Sequence, residues 1–545
     1  LMFNKPDYNK INIIIPFLLI YLLIGIFIFD DYGISWDEPY HRINGFVALN
    51  SIRNFLSLES FPNLEHSNEW MAEQTKIYGS VFDLIASSLE KLFNLEDIRN
   101  AYLMKHLLNF FLFVIFIFYF YKILNLRFSI KLSLLGILFF VLTPRIFAHS
   151  FFNMKDLVFL SFFIIALYYS IIFTKTYAFR DSIKAAISCA FLLLVKITGI
   201  IIPFIILFFF IFKSINNFNF FKSKVLVLVQ FFIILTLLTI SFWPLLWENP
   251  LENFIFALKT FINFDWRGGI YFFGEYISSL NLPWYYSITW ILITVPLLYL
   301  FNFIIGSFLI LFKISKRFLE LSNININKDI WNGEKERLDF IFFMIFYFTL
   351  FLVISFNSAM YTGWRHLFFI YPSLIFISLR GVEFYLKKIE FKYLILIFIP
   401  FIAHTSYWMI KNHPYQNIYF NVLAGKKPNK NYELDYWGLS NKDTLNYLIS
   451  NEKGQINLFV LSISPYEHSL SLIDLDNRNR FNFVSSIEDA DYLLTNHYYQ
   501  KKDPVKYKLY LDNKYKLVNE IMVDNIVINS IYKKYSYENI CIQNN

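Results

Sequence analysis

Two carboxylates stand side by side in Gly33-Ile34-Ser35-Trp36-Asp37-Glu38-Pro39-Tyr40-His41-Arg42. The stretch follows an apolar run, Ile11–Phe29, long enough to cross a bilayer. Adjacent acids at a membrane interface are costly unless hydrated, paired or used. One of them is suited to take a proton from an incoming hydroxyl. A solvated turn before an interfacial helix would explain the pair equally well. A second cluster, Thr143–Asp156, packs Arg145, His149, Lys155 and Asp156 between two apolar runs. Cations at headgroup depth suit a bound phosphate. Snorkelling accounts for the Arg and Lys, but not for the His and Asp beside them. Asp156 could pair with Lys155 or help to bind a cation. A third cluster, Tyr361-Thr362-Gly363-Trp364-Arg365-His366, offers Arg365 and His366 as further phosphate ligands. An interfacial Trp beside an Arg is also ordinary membrane anchoring. Lys196, in a short turn, reads as a snorkelling lysine that could also reach the same cavity.

The elements that must position these residues are membrane helices. Of 545 residues, 57% are hydrophobic, 21% aromatic and only 17% charged, and mean hydropathy is +0.46. A soluble domain carries about 25% charged residues. The balance excludes an ordinary cytosolic enzyme, a disordered chain and a nucleic-acid binder. The net charge of +8 fits cytoplasmic-loop Lys and Arg. Cys189 sits in an apolar run and Cys541 near the C-terminus, a pattern that gives no disulfide framework and no Cys-based metal site. About eleven spans are predicted: Ile11–Phe29, Leu107–Tyr121, Leu132–Phe147, Leu157–Phe173, Ala185–Val195, Ile200–Phe212, Val225–Phe242, Trp284–Phe312, Phe340–Phe356, Leu367–Leu379 and Tyr393–Ile410. The first lacks a small-residue cleavage site and reads as an anchor.

Basic residues gather in alternate loops, from Lys5/Lys10 and Lys122/Arg127/Lys131 through to Arg380/Lys387/Lys388/Lys392. That places the N-terminus in the cytoplasm. An odd span count puts the C-terminus outside, in an integral, multi-pass inner (cytoplasmic) membrane protein. All three clusters then fall on the outer face. So do a long first outer loop, residues 30–106, a loop over Pro244–Pro283, and a polar region over 411–545 that alternates like a small α/β domain. Within the first loop, Val81, Leu84, Ile85, Ser88, Leu89 and Leu92 share one helical face. Such a helix lies on the membrane surface or packs on the protein's own core. Asp265-Trp266-Arg267-Gly268-Gly269, Gly274-Glu275 and Pro283-Trp284 read as an ordinary loop or as a mobile segment over a site. No phosphate-binding P-loop, HExxH or GxSxG motif occurs, and few charges lie at mid-span.

Together, Asp37-Glu38, the Pro144–Asp156 turn ending in Lys155-Asp156, Gly274-Glu275 with Pro283-Trp284, and Gly363-Trp364-Arg365-His366 resemble the GT-C glycosyltransferases. The nearest branch is the bacterial protein O-mannosyltransferase and aminoarabinose-transferase-like membrane enzymes. The resemblance covers roughly Ile11–Ile410, and Glu433–Ser440 also looks like bacterial members, without an assigned role. It implies a GT-C-like transmembrane domain over 1–410, about eleven helices, and an extracytoplasmic α/β domain over 411–545. It also implies an inverting transfer of a sugar from a polyprenyl-phosphate donor to a hydroxyl on the outer face. Asp37 would be the general base, Glu38 an orienting acid and Asp156 a second acid of the site. Arg145, Lys155 and Arg365 would neutralise the leaving phosphate, and His149 and His366 would bond the phosphate or sugar. Within the family some members hold a divalent cation; no spacing here fixes a metal site, so the metal stays unassigned. Protein Ser/Thr, a lipid glycan and a surface polysaccharide are all open as acceptors. A transporter or flippase would need paired mid-span charges or broken helices in both halves of a repeat, and neither is evident. A non-catalytic assembly factor would rest its function on the C-terminal region instead.

Overall fold

The computed structural model describes residues 12–62, 77–262, 268–322, 333–511 and 514–535, with Trp266 and Trp331. Lys5, Lys10, Asp265, Arg267 and Cys541 lie outside the described residues. Eight helices among these are long and apolar enough to cross a membrane: Ile98–Arg127, Asp156–Thr176, Ile197–Ile215, Phe218–Phe242, Leu297–Leu319, Gly333–Ser355, Arg365–Tyr385 and Phe391–Lys411. A ninth candidate is a bent pair, Ile130–Val141 and Pro144–Phe152, turning through 67°. The apolar runs of the sequence are helical, but four differ from a simple span. Leu132–Phe147 falls on the bent pair, Ile15–Ile28 and Phe179–Leu193 are shorter helices, and Trp284–Phe312 splits into Tyr286–Thr294 and a helix from Leu297.

The bend at Thr143 has a local cause. Pro144 cannot donate to the preceding turn and is pre-set for a first helical position. Thr143 adopts an extended backbone. Its hydroxyl lies 2.9 Å from the carbonyl of Phe139 and 2.5 Å from the Tyr371 hydroxyl, which ties the bend to a neighbouring span. The core between the spans is aromatic. Phe110 stacks on Phe151 and Phe342 on Phe376, and offset ring stacking adds to their burial.

The helix Val81–Leu92 forms as expected, but its expected apolar face is divided. Val81 and Leu84 are buried with Phe82, Asp83, Ser87 and Glu90, while Ile85 and Leu92 are exposed. The inner side packs on the protein's own core, and the exposed Ile85 and Leu92 suit a bilayer surface. Its inward charges are matched: Arg42 bonds Glu90 at 2.6 Å, and Asn44 donates to Asp83 at 2.8 Å.

After Lys411 the chain builds a small sheet domain. Beyond the hairpin of β1 (Gly269–Phe272) and β2 (Glu275–Ser278) between the spans, strands β3 (Ile456–Leu461), β4 (Phe481–Phe483), β5 (Tyr492–Thr495), β6 (Tyr515–Val523) and β7 (Ile526–Lys534) lie in the order β4-β3-β5-β7-β6. The β3 pairings are parallel and the β7 pairings antiparallel. Asp524-Asn525, both at positive φ, make the two-residue turn from β6 to β7. Helix Asn441–Asn451 packs Leu445 and Leu448 onto Ile456, Leu458 and Leu494. The domain is fastened to the helices by Tyr32 to Gln416 at 3.0 Å, His413 to Asp31 at 2.7 Å, and Lys442 to the carbonyls of Asp30 and Asp31.

Candidate active site

Where helix ends meet the sheet domain, a cavity of about 680 Å³ opens. Asp37, Lys155 and Arg365 line it, one from each sequence cluster. Each is aimed by its own backbone context. Pro39 follows Asp37 at the start of the helix Glu38–Phe55. Asn153 ends the helix Pro144–Phe152, and its side-chain oxygen accepts from the backbone N–H of Asp156 at 2.8 Å and of Lys155 at 3.3 Å. The next span therefore starts at a fixed angle. Gly363 takes φ +72, a conformation glycine adopts freely. Thr362 before it sits at φ 55, which is strained for a β-branched residue. Its hydroxyl accepts from Nε of Arg365. The turn seats Trp364 on Thr294, Nε1 to Oγ1 at 2.8 Å, and points Arg365 into the cluster.

The centre of the cluster is Asp156, only 2% exposed. Lys196 reaches one oxygen at 2.7 Å and Arg365 the other at 2.8 Å. His366 lies 3.8 Å from the first oxygen. The same Arg365 Nη1 is 3.1 Å from Oδ2 of Asp37, whose side chain is 28% exposed. One guanidinium nitrogen thus joins a buried carboxylate to a cavity-facing one. Arg365 also lies against the rings of Tyr361 and Trp437, at 5.0 and 4.8 Å. Lys155 rests on the Tyr78 ring at 3.4 Å. Burial pushes its ammonium down to about 8, against the opposing pull of Asp37 and Asp156.

The other expected residues sit elsewhere. Glu38 is fully buried and turns away from Asp37. It accepts from Ser35 N–H at 2.7 Å and meets His106 Nε2 at 2.9 Å. Those bonds anchor the first turn of the helix that begins beside Asp37. His149 is buried against Phe152, Phe368 and Trp437. Its Nδ1 meets the Asn153 amide at 3.1 Å; it does not line the cavity. Arg145 donates to the Tyr419 carbonyl at 3.2 Å and faces Trp290 and Phe420. Neither Arg145 nor His366 lines the cavity. Among the described residues no group of three or more His, Cys, Asp or Glu is placed to hold a metal ion.

Sequence reasoning left Glu433–Ser440 without a role. Glu433, Tyr436 and Trp437 line the cavity. Asp435 is buried and accepts from Leu439 and Ser440, shaping the turn that presents them. The loop with Gly269 and Gly274 is a hairpin of β1 (Gly269–Phe272) and β2 (Glu275–Ser278). It closes one side of the cavity and is bonded to Glu433 through Tyr271 N–H and to Asn431 through Gly274 N–H.

A bundle of membrane-length helices with a buried ion cluster opening under an aqueous sheet domain is the class of architecture this chain presents. Residues 83–243, under a third of the chain, match the family model described as dolichyl-phosphate-mannose-protein mannosyltransferase. The matched part carries Arg145, His149, Lys155, Asp156 and Lys196. Among solved structures, the chain is similar to ArnT from Cupriavidus metallidurans, crystallised with undecaprenyl phosphate. The identity is 11%, with 97% of this chain and 99% of that one covered, at a TM-score of 0.41. None of the curated proteins compared matches the chain significantly.

Proposed function

We propose that this protein is a glycosyltransferase that moves a sugar from a polyprenyl-phosphate-linked donor to an acceptor hydroxyl. The observation that carries the reading is Arg365, shared between buried Asp156 and cavity-facing Asp37 with Lys155 beside them. The family match over residues 83–243 supports it. The donor's phosphate binds Arg365 and Lys155 and competes with Asp37 for the guanidinium. Asp37 is then free to take the proton of the acceptor hydroxyl. That oxygen attacks the anomeric carbon from the face opposite the phosphate. The bond from carbon to phosphate oxygen breaks, its electron pair leaves with the phosphate, and the configuration inverts. Charge grows on the phosphate as this happens, and fixed cations are worth most where charge develops. Asp156 and Lys196 hold Arg365 in place without touching substrate, and Glu38 with His106 holds the helix start beside Asp37.

The reaction belongs on the outer face of a bacterial inner membrane, with the N-terminus cytoplasmic and the sheet domain outside. The alternation of basic loops is its support. The test is transfer or release of radiolabelled sugar from a panel of polyprenyl-phosphate sugars by the purified protein in liposomes. Release that disappears in Asp37→Asn, with the variant still folded, is the expected result. Full activity in that variant would remove Asp37 from the reaction.

A further inference from the structure

The cavity has a second polar wall that the proposed reaction does not use. Glu433 lines it with His497, Gln500 and Lys501 of the sheet domain. Oε1 of Glu433 accepts from Tyr271 N–H at 3.3 Å. Oε2 is buried and has no hydrogen-bond partner among the described residues. Burial raises this carboxyl to about 7, and the charge that opposes the rise is the Lys501 ammonium. Lys501 donates to the Tyr432 carbonyl at 3.0 Å and lies 4.7 Å from the Tyr271 ring centre. Buried polar atoms in native proteins nearly always have partners. One left without a partner on a residue that lines a cavity therefore points to a ligand.

The charges choose among ligands. A second phosphate would meet Glu433, and a cationic ligand would meet Lys501. A neutral polyol satisfies both, donating one hydroxyl to the carboxylate and accepting from the ammonium with the next. Tyr271, Tyr436 and Trp437 supply the aromatic faces on which a sugar ring's C–H face packs. Tyr436 is acted on electrostatically by both Arg365 and Glu433, so it joins this wall to the cationic one.

We propose that Glu433 and Lys501 form a saccharide subsite that takes vicinal hydroxyls of a pyranose ring. The subsite rests on the glycosyltransfer reading only for whether that ring belongs to the donor or to the acceptor.

The test uses the full chain in nanodiscs. Methyl mannopyranoside and methyl glucopyranoside are titrated by saturation-transfer NMR, and polyprenyl phosphate and its mannosyl ester by a binding assay. Wild-type protein should bind a methyl glycoside. Glu433→Gln and, independently, Lys501→Met should each weaken that binding about tenfold with melting temperatures unchanged. If the donor's sugar sits here, the mannosyl ester outbinds the bare lipid in wild type and the gap closes in Glu433→Gln. If an acceptor sits here, both lipids bind the variants as they bind wild type. Equal glycoside binding by wild type and both variants overturns the inference, and so does no glycoside binding at all. Failure of the wild-type protein to bind either lipid would instead overturn the reaction proposed above, whatever the glycosides do.

Discussion

The two ends of the bundle both carry buried ion clusters, and one span contributes to each. Arg365 starts the span Arg365–Tyr385, and Arg380 and Glu383 lie near its end. Fifteen residues of 3-10 and α-helix separate the two arginines by about 25 Å, close to the hydrocarbon thickness of about 30 Å. At the far end, Arg127 holds Asp339 at 2.6 Å and Glu383 at 3.2 Å, and Arg380 holds both carboxylates too. Two cations meet two anions there, and the void beside Asp339 measures about 20 Å³. At the near end Lys196 and Arg365 meet Asp156 and Asp37, and Lys155 feels Asp37, Asp156 and Asp83, beside about 680 Å³ of open cavity. Buried charge alone therefore does not mark a site. Here it is open space beside the charges that distinguishes the end proposed to react from the end that fastens three spans.

Substitutions at the two ends should separate accordingly. Asp37→Asn is expected to cost about a thousandfold in turnover while the melting temperature holds, since Arg365 keeps Asp156; a turnover assay beside a thermal-shift scan reads both. Arg127→Leu should do the reverse. It leaves Asp339 short of a buried partner, at a cost of about 3–5 kcal/mol in stability. Folded protein recovered from detergent should then show wild-type turnover per molecule. Lys155→Met should lower turnover about a hundredfold and raise the donor's KM. A collapse in stability from that change would make the near cluster as structural as the far one.

The smallest effect is in pH. Lys155 titrates near 8, charged below and neutral above, so donor binding should fall about tenfold per unit as pH rises past 8. In Lys155→Arg that limb should move to higher pH. A pH profile of kcat/KM for both proteins checks it.

Much of this layout is legible in the sequence, because apolar runs and basic loops are local signals. The predicted runs are helical, and Asp37, Lys155 and Arg365 reach one cavity from three separated motifs. What local reading could not supply was direction. Successive helical residues point about 100° apart, so Glu38 follows Asp37 in sequence yet turns to His106. His149 shares a short segment with Lys155 but packs into aromatic rings. Lys196 looked like a snorkelling lysine; its partner Asp156, forty residues away in the chain, is visible only in three dimensions. Glu433 stood in a noted stretch without a role and Lys501 in none, because two separate chain segments bring them to one wall.

The pairing of Arg365 and Lys155 at the cavity has a kinetic corollary on the proposed reaction. A polyprenyl-phosphate sugar is a diester with one negative charge. Once the sugar has gone, the lipid keeps a phosphate monoester whose second ionisation lies near 6, so it approaches two negative charges. The spent carrier then binds the cations more tightly than the loaded one. It is therefore an inhibitor that competes with fresh donor for Arg365 and Lys155.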